Sequence, residues 1–443
     1  MADCIDNEKS SAMASGNRKA IVAWCMYDWA NSAFATTVMA GFFPIFFKKF
    51  WCEGTDFTVS TARLGLANSF ASIFVALAAP ILGAIADKGS SKKKFLFFFA
   101  YMGVIMTSSL YLVSQGRWAV AVFLYVLANI GFAGGNIFYD SLITAVAPEK
   151  KMDIVSSLGF SLGYLGGGLL FALNVWMTLR PQSFGFAAAS EAVQFSFLSV
   201  GLWWSLFSIP IFMIVKEPRG VNNLSVFTIV RAGFLQLKET FQEIRHLKSI
   251  FLFLLAYWFY IDGVDTIIRM AIDYGISIGL DSNNLIIALL ITQFVGFPAA
   301  IIYGYMGEKI GTKRAIYIAI GVYLGVSFWG AFIQGPREFY ILAIIVGLVQ
   351  GGIQALSRSF YARIIPVNKS AEYFGFYNML GKFASVLGPV LIGGVGLLVK
   401  SMGFSSSIAS RTGISSISIL FITGGLLFSR VNEEKAKEEI KYL

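Results

Sequence analysis

Charge is scarce in this chain. Only 14% of its 443 residues are Asp, Glu, Lys or Arg, while 56% are apolar and the mean hydropathy is +0.69. A soluble protein of this length cannot hide so much apolar surface, whereas a lipid bilayer requires it. Histidine and cysteine are scarcer still, with one His and three Cys. Cys4, Cys25 and Cys52 fall in the N-terminal tail, an apolar run and a loop, which gives neither a disulfide framework nor a ligand-spaced metal cluster. His246 stands alone at the end of a polar stretch and is assigned nothing. The chain has no Gly-x-Ser-x-Gly with a usable His, no His-Glu-x-x-His and no Gly-x-x-x-x-Gly-Lys-Ser/Thr. It is therefore not read as an enzyme or an ATP-driven pump, and no cofactor or metal is expected.

Long apolar runs are what the chain has instead. At about 20 apolar residues per crossing, twelve spans are expected. In the first half they run over 20–47, 64–86, 95–113, 119–146, 154–178 and 192–215. In the second they run over 249–278, 284–306, 315–334, 340–363, 373–399 and 413–429. With both termini in the cytoplasm, about 24 Lys and Arg fall on the cytoplasmic side and about 8 outside, the bias that orients membrane proteins. The net charge of +10 thus reads as membrane orientation, not as a nucleic-acid face. The expected organisation is a cytoplasmic tail (1–19), a six-helix bundle (20–215), a cytoplasmic linker (216–248), a second six-helix bundle (249–429) and a cytoplasmic tail (430–443). Within the linker, Phe227, Val230, Phe234, Leu237, Phe241 and Ile244 recur at spacings of three and four, the pattern of an amphipathic helix lying along the membrane face.

One stretch occurs twice. Gly83-Ala-Ile-Ala-Asp87 leads into Lys92 and Lys93, and Gly304-Tyr-Met-Gly-Glu308 leads into Lys313 and Arg314, each after the second span of its half. The glycine permits close helix approach, the carboxylate sits within reach of a neighbouring helix end, and the basic turn marks the cytoplasmic side. These residues are expected to gate, together with Pro389, which can kink the eleventh span. The repeat itself points to a duplicated six-helix unit.

Charged and amide side chains inside spans are expensive, so each is a candidate for function. On the seventh span Asp262, Asp265, Arg269 and Asp273 share one face over about 16 Å. That face should line water or the bundle interior. The first span offers Asp28 and Asn31, the fourth Asn136 and Asp140, the tenth Gln350, Gln354 and Arg358, and the eleventh Asn378 and Lys382. Asp140 and Arg358 each stand eight residues before the proline closing their span, Pro148 and Pro366, so opposite charges are expected at equivalent depths in the two halves. Within the spans, Asp28, Asp140, Asp262, Asp265 and Asp273 outnumber Arg269, Arg358 and Lys382 by two, which leaves room for a proton or a cationic solute.

The Gly-x-x-x-Asp/Glu and basic loops resemble the cytoplasmic signature of the major facilitator superfamily. Tyr27-Asp-Trp-Ala-Asn-Ser-Ala-Phe34, Phe160-Ser-Leu-Gly-Tyr-Leu-Gly-Gly-Gly168 and Tyr260-Ile-Asp-Gly-Val-Asp-Thr-Ile-Ile-Arg269 are similar to the branch that includes the vacuole effluxer of autophagy and its bacterial relatives. Gly347 to Ser359 and Glu372 to Tyr377 extend that likeness through both halves. The resemblance implies an all-α integral membrane protein of twelve helices, with the major facilitator fold and alternating access. For the fungal relatives it implies amino-acid efflux. The expected function is a secondary active transporter of a small polar solute, an amino acid or related metabolite, with protons as coupling ion. The alternatives are an exporter of lipid-like or drug-like molecules and a non-transporting sensor on a carrier fold. A monomer in a bacterial cytoplasmic membrane is expected.

Overall fold

The computed structural model describes residues 2–217, 240, 243, 247–277, 281–333, 335–383 and 387–440, and these are almost wholly helical. Most of the predicted linker helix lies outside them. Eleven helical stretches among the described residues are long and apolar enough to cross a membrane. Thr312–Trp329 stands at the remaining predicted span, with Lys313 and Arg314 in its first turn.

The first half begins with α1, a helix over Ala2–Ala33 that widens into π-helical turns over Phe34–Phe42 and Phe47–Trp51. It continues with α2 (Phe57–Gly89), α3 (Lys92–Ser109), α4 (Trp118–Ser141), α5 (Met152–Leu179) and α6 (Ala189–Ile214). The second half holds α7 (Lys248–Ser277), α8 (Ser282–Ile310), α9 (Thr312–Trp329) and α10 (Pro336–Arg363). Next come α11, in two segments over Ser370–Phe383 and Leu387–Ser401, and α12, over Ser406–Ser415 and Ser418–Ser429. A short helix, α13 (Glu433–Ile440), follows.

Across the middle of the molecule α5 packs on α8 and α2 on α11. Small residues make both contacts possible, because apolar lipid supplies no force between helices and close packing has to. At Gly83 any Cβ would collide with the backbone carbonyl of Ala371, so α2 and the start of α11 touch backbone to backbone. At Gly304 a Cβ would lie 2.8 Å from that of Ser157 on α5. Along the α2–α11 seam the inner segment of α11 is buried while most of its second segment is not. The halves are therefore drawn together at the end that carries the basic loops.

Candidate functional site

The centre of the interface between the halves is Arg358. Its guanidinium leaves α10, enters the first half and is 3% exposed. Nη1 lies 3.0 Å from Asp140 Oδ1 on α4, and Nη2 lies 3.5 Å from Asp28 Oδ2 on α1. Nε donates to the Ser156 hydroxyl and Nη2 to the Ser156 carbonyl, both at 2.9 Å. Three rings surround it: the guanidinium carbon lies over Trp24, Tyr139 and Phe160, 4.7, 5.4 and 4.4 Å from their centroids. Tyr139 donates its hydroxyl to Asp28 Oδ2 at 2.7 Å, and Asn378 donates to Asp140 Oδ2 at 3.2 Å. Gly159 makes the space for this cluster, since a Cβ there would stand 2.6 Å from Asp28 Oδ2 and 3.1 Å from Arg358 Nη2.

The equal offsets from Pro148 and Pro366 thus correspond to a real ion pair. Asn31 donates to Asn136 at 2.7 Å within the first half. Gln354 and Gln350 are half-buried one and two turns from Arg358 on α10, and Asp265 and Lys382 are half-buried on α7 and α11. Arg269 and Asp273 lie on α7 beyond the residues whose side chains are described.

Asp262 faces the bundle interior, one of the two surroundings expected for its helix face. It is fully buried, and its carboxylate accepts from the amides of Leu387 and Gly388 at 3.0 and 2.8 Å and from Thr266 at 3.1 Å. Asp262 thus ties α7 to the backbone of α11. Pro389 is exposed on the second described segment of α11, Leu387–Ser401.

Below the Arg358 cluster the basic-loop end is closed by two latches. In the first, Asp87 pairs with Lys92 at 2.8 Å and accepts from the Glu372 amide at 2.8 Å, at the start of α11. Lys92 also donates to Ser370 at 2.7 Å. Among the described residues Lys93 closes nothing between halves; it donates to the carbonyls at the end of α6, Phe212 and Val215, at 2.7 and 2.6 Å. Lys313 does the same for α12, donating to Ser429 and Val431 at 2.9 and 2.6 Å.

In the second latch the expected carboxylate is not the one used. Glu308 is exposed and makes no ion pair among the described residues, and Arg314 is exposed too. Asp153, in the first turn of α5, occupies the place that Glu308 was expected to reach. Asp153 pairs with Arg363 at 2.7 Å, accepts from Thr312 at 2.6 Å and also accepts from Ser359. A second carboxylate facing α5 would meet the like charge of Asp153, which accounts for Glu308 turning away. Arg363 further pairs with Glu433 of α13 at 3.0 Å, and Lys437 of α13 reaches Glu149 at 2.6 Å. Burial pulls the Lys437 ammonium down, but its hydrogen bonds to Glu149 and Glu433 outweigh this and hold its pKa above the ordinary value. Asp153 and Arg363 were missed because an acid opening a helix and a base closing one are ordinary helix-end choices.

Comparison with known proteins follows the same lines. The family model described as vacuole effluxer Atg22 like matches residues 59–152 and 145–441. An MFS-type transporter of Bacillus subtilis, YxiO, is 40% identical over 425 residues, covering 94% of this chain and 95% of that one. Autophagy-related protein 22 of Eremothecium gossypii is 23% identical over 443 residues, covering 86% and 85%. The structure of the human organic anion transporter MFSD10 superposes with a TM-score of 0.70 at 13% identity, covering 93% of this chain and 99% of that one, and so shares the fold.

Proposed function

The chain belongs to the Atg22-like family of the major facilitator superfamily, and from that premise we propose that it carries an amino acid or a related small polar metabolite, coupled to protons. As a member it is a multi-pass membrane protein and a secondary transporter working by alternating access. The observation that carries the proposal is the buried Arg358 shared between Asp28 and Asp140, at the interface of the two halves. Secondary carriers place their sites between repeats, and an interfacial charge cluster breaks when the halves rock apart. The cluster holds two carboxylates for one guanidinium, so one acid can take up a proton without leaving the arginine unpaired. That arithmetic supports coupling to protons. A bacterial cytoplasmic membrane fits the 40% identity to a Bacillus protein and the excess of Lys and Arg in loops at one end.

Counterflow in proteoliposomes tests this. Vesicles loaded with an unlabelled amino-acid pool should accumulate labelled amino acids without any imposed gradient, and an imposed pH gradient should then change the steady-state level. No accumulation by folded, inserted protein would overturn the substrate class, and accumulation indifferent to the pH gradient would overturn the coupling.

A further inference from the structure

Among the described residues, the groups that hydrogen-bond, pair with or place a ring against the Arg358 guanidinium belong to the first half, and Asn378 of the second half donates to Asp140 beside it. Trp24 and Asp28 come from α1, Tyr139 and Asp140 from α4, and Ser156 and Phe160 from α5. The occupant alone crosses over from α10. A half-site built entirely on one rigid bundle keeps its shape when the other bundle withdraws. Arg358 and Asn378 would leave together, because both belong to the second half. Among the described residues, what remains is two carboxylates in aromatic surroundings, with the Tyr139 hydroxyl on Asp28 as their one other hydrogen-bond donor. Such a pocket is strongly destabilised until another cation enters it.

We propose that this pocket is a guanidinium-binding site of the carrier, filled by Arg358 while the basic-loop end is closed and by the cationic group of a solute once the halves part. The geometry selects a planar cation. Arg358 spends Nε, Nη1 and Nη2 on separate acceptors around its edge, and the rings of Trp24 and Phe160 lie 4.7 and 4.4 Å from its carbon. A guanidinium has both the donor fork and the flat faces, whereas an ammonium is a point charge without faces. Gly159 leaves the room that a Cβ would fill. The solute class is therefore a small guanidino compound, and Arg358 acts as its internal stand-in. The inference rests on the carrier reading above, since the pocket opens only if the halves separate.

Binding tests it apart from transport. The full chain in lipid nanodiscs carries Arg358→Ala, alone and with Asp140→Asn. Guanidinium chloride and agmatine are the probes, with sodium chloride at equal ionic strength as control. Millimolar probe should raise the Tm of Arg358→Ala by several degrees, and Asp140→Asn should remove that rise. A second readout keeps the arginine. Ser370 is fully buried at the closed end, so Ser370→Cys should react with a water-soluble maleimide severalfold faster in agmatine and no faster in leucine. A folded Arg358→Ala chain that ignores both probes overturns the proposal, as does an equal rise in the double variant. If Arg358→Ala does not fold, unchanged Ser370→Cys labelling overturns it alone. Proton uptake by Arg358→Ala with no response to agmatine would give the pocket to protons and likewise overturn it. Agmatine binding without counterflow would refute the carrier reading and leave the site standing; exchange of neutral amino acids without agmatine binding would do the reverse.

Discussion

In the first latch the carboxylate that meets its neighbour's helix start, Asp87, stands at the end of α2 and draws on Lys92 and the opening amides of α11. In the second, Glu308 at the end of α8 is exposed, and Asp153 of α5 binds Arg363, Thr312 and Ser359 instead. Between these unlike latches the architectural lysines match: Lys93 holds the end of α6 as Lys313 holds the end of α12. The duplication has kept the parts that tie each bundle together and let the contacts between bundles diverge. A repeated motif is thus evidence for a repeated fold, and only weakly for a repeated switch.

The comparison can be broken at its strongest point. Asp153→Ala removes the acceptor of three donors and leaves Arg363 with Glu433 as its one remaining acidic partner among the described residues, beside the Thr312 hydroxyl. Breaking a buried pair costs about 3–5 kcal/mol, so the Tm should fall sharply and the basic-loop end should open. Asp87→Asn should act in the same direction by less. It keeps an acceptor for the Glu372 amide but loses the charge, worth about 1.5–3 kcal/mol for a hydrogen bond to a charged group. Counterflow should slow with substrate affinity largely kept. Gly83→Ala forces a methyl against the Ala371 backbone, an overpacking of about 1–3 kcal/mol. The same readouts should show weaker closure on the first side only.

Smaller effects sharpen the contrast. Lys437→Ala loses two partly exposed pairs, with Glu149 and Glu433, each about 0–1 kcal/mol after screening by solvent. Because its folded pKa is raised, the lysine contributes below its ordinary pKa and loses that contribution as pH rises through the raised value. The deficit of Lys437→Ala should accordingly vanish at strongly alkaline pH in a thermal melt. Glu308→Gln should change Tm and counterflow least, within about 0.5 kcal/mol. A Glu308 effect as large as that of Asp87 would restore the symmetry that the structure denies.

Much of the fold was legible because lipid sets the length and polarity of a span, so apolar runs and basic loops marked the crossings directly. The Asp140–Arg358 pair was legible too, since equal distances from Pro148 and Pro366 measured equal depths in two copies of one unit. Asp262 was legible only in part. Its helix face was expected to meet water or the bundle interior, and a charged face reads the same whether it meets water or the backbone amides of another helix. Trp24, Tyr139 and Phe160 escaped notice for a related reason: aromatic residues are common throughout the spans, and only the approach of Arg358 separates these three from packing. The second latch hid behind residue types that close and open any helix.

The central claim is that Asp87 and Asp153 hold the halves together at the basic-loop end and that transport requires their release. Spin labels at the exposed Lys88 and Val367 positions, one on each half at that end, measure it by pulsed electron resonance in nanodiscs. A single short distance is predicted for the otherwise unaltered chain. Asp153→Ala should add a longer population that grows further with Asp87→Asn. One unchanged short distance in every variant, in protein that still performs counterflow, would contradict the account.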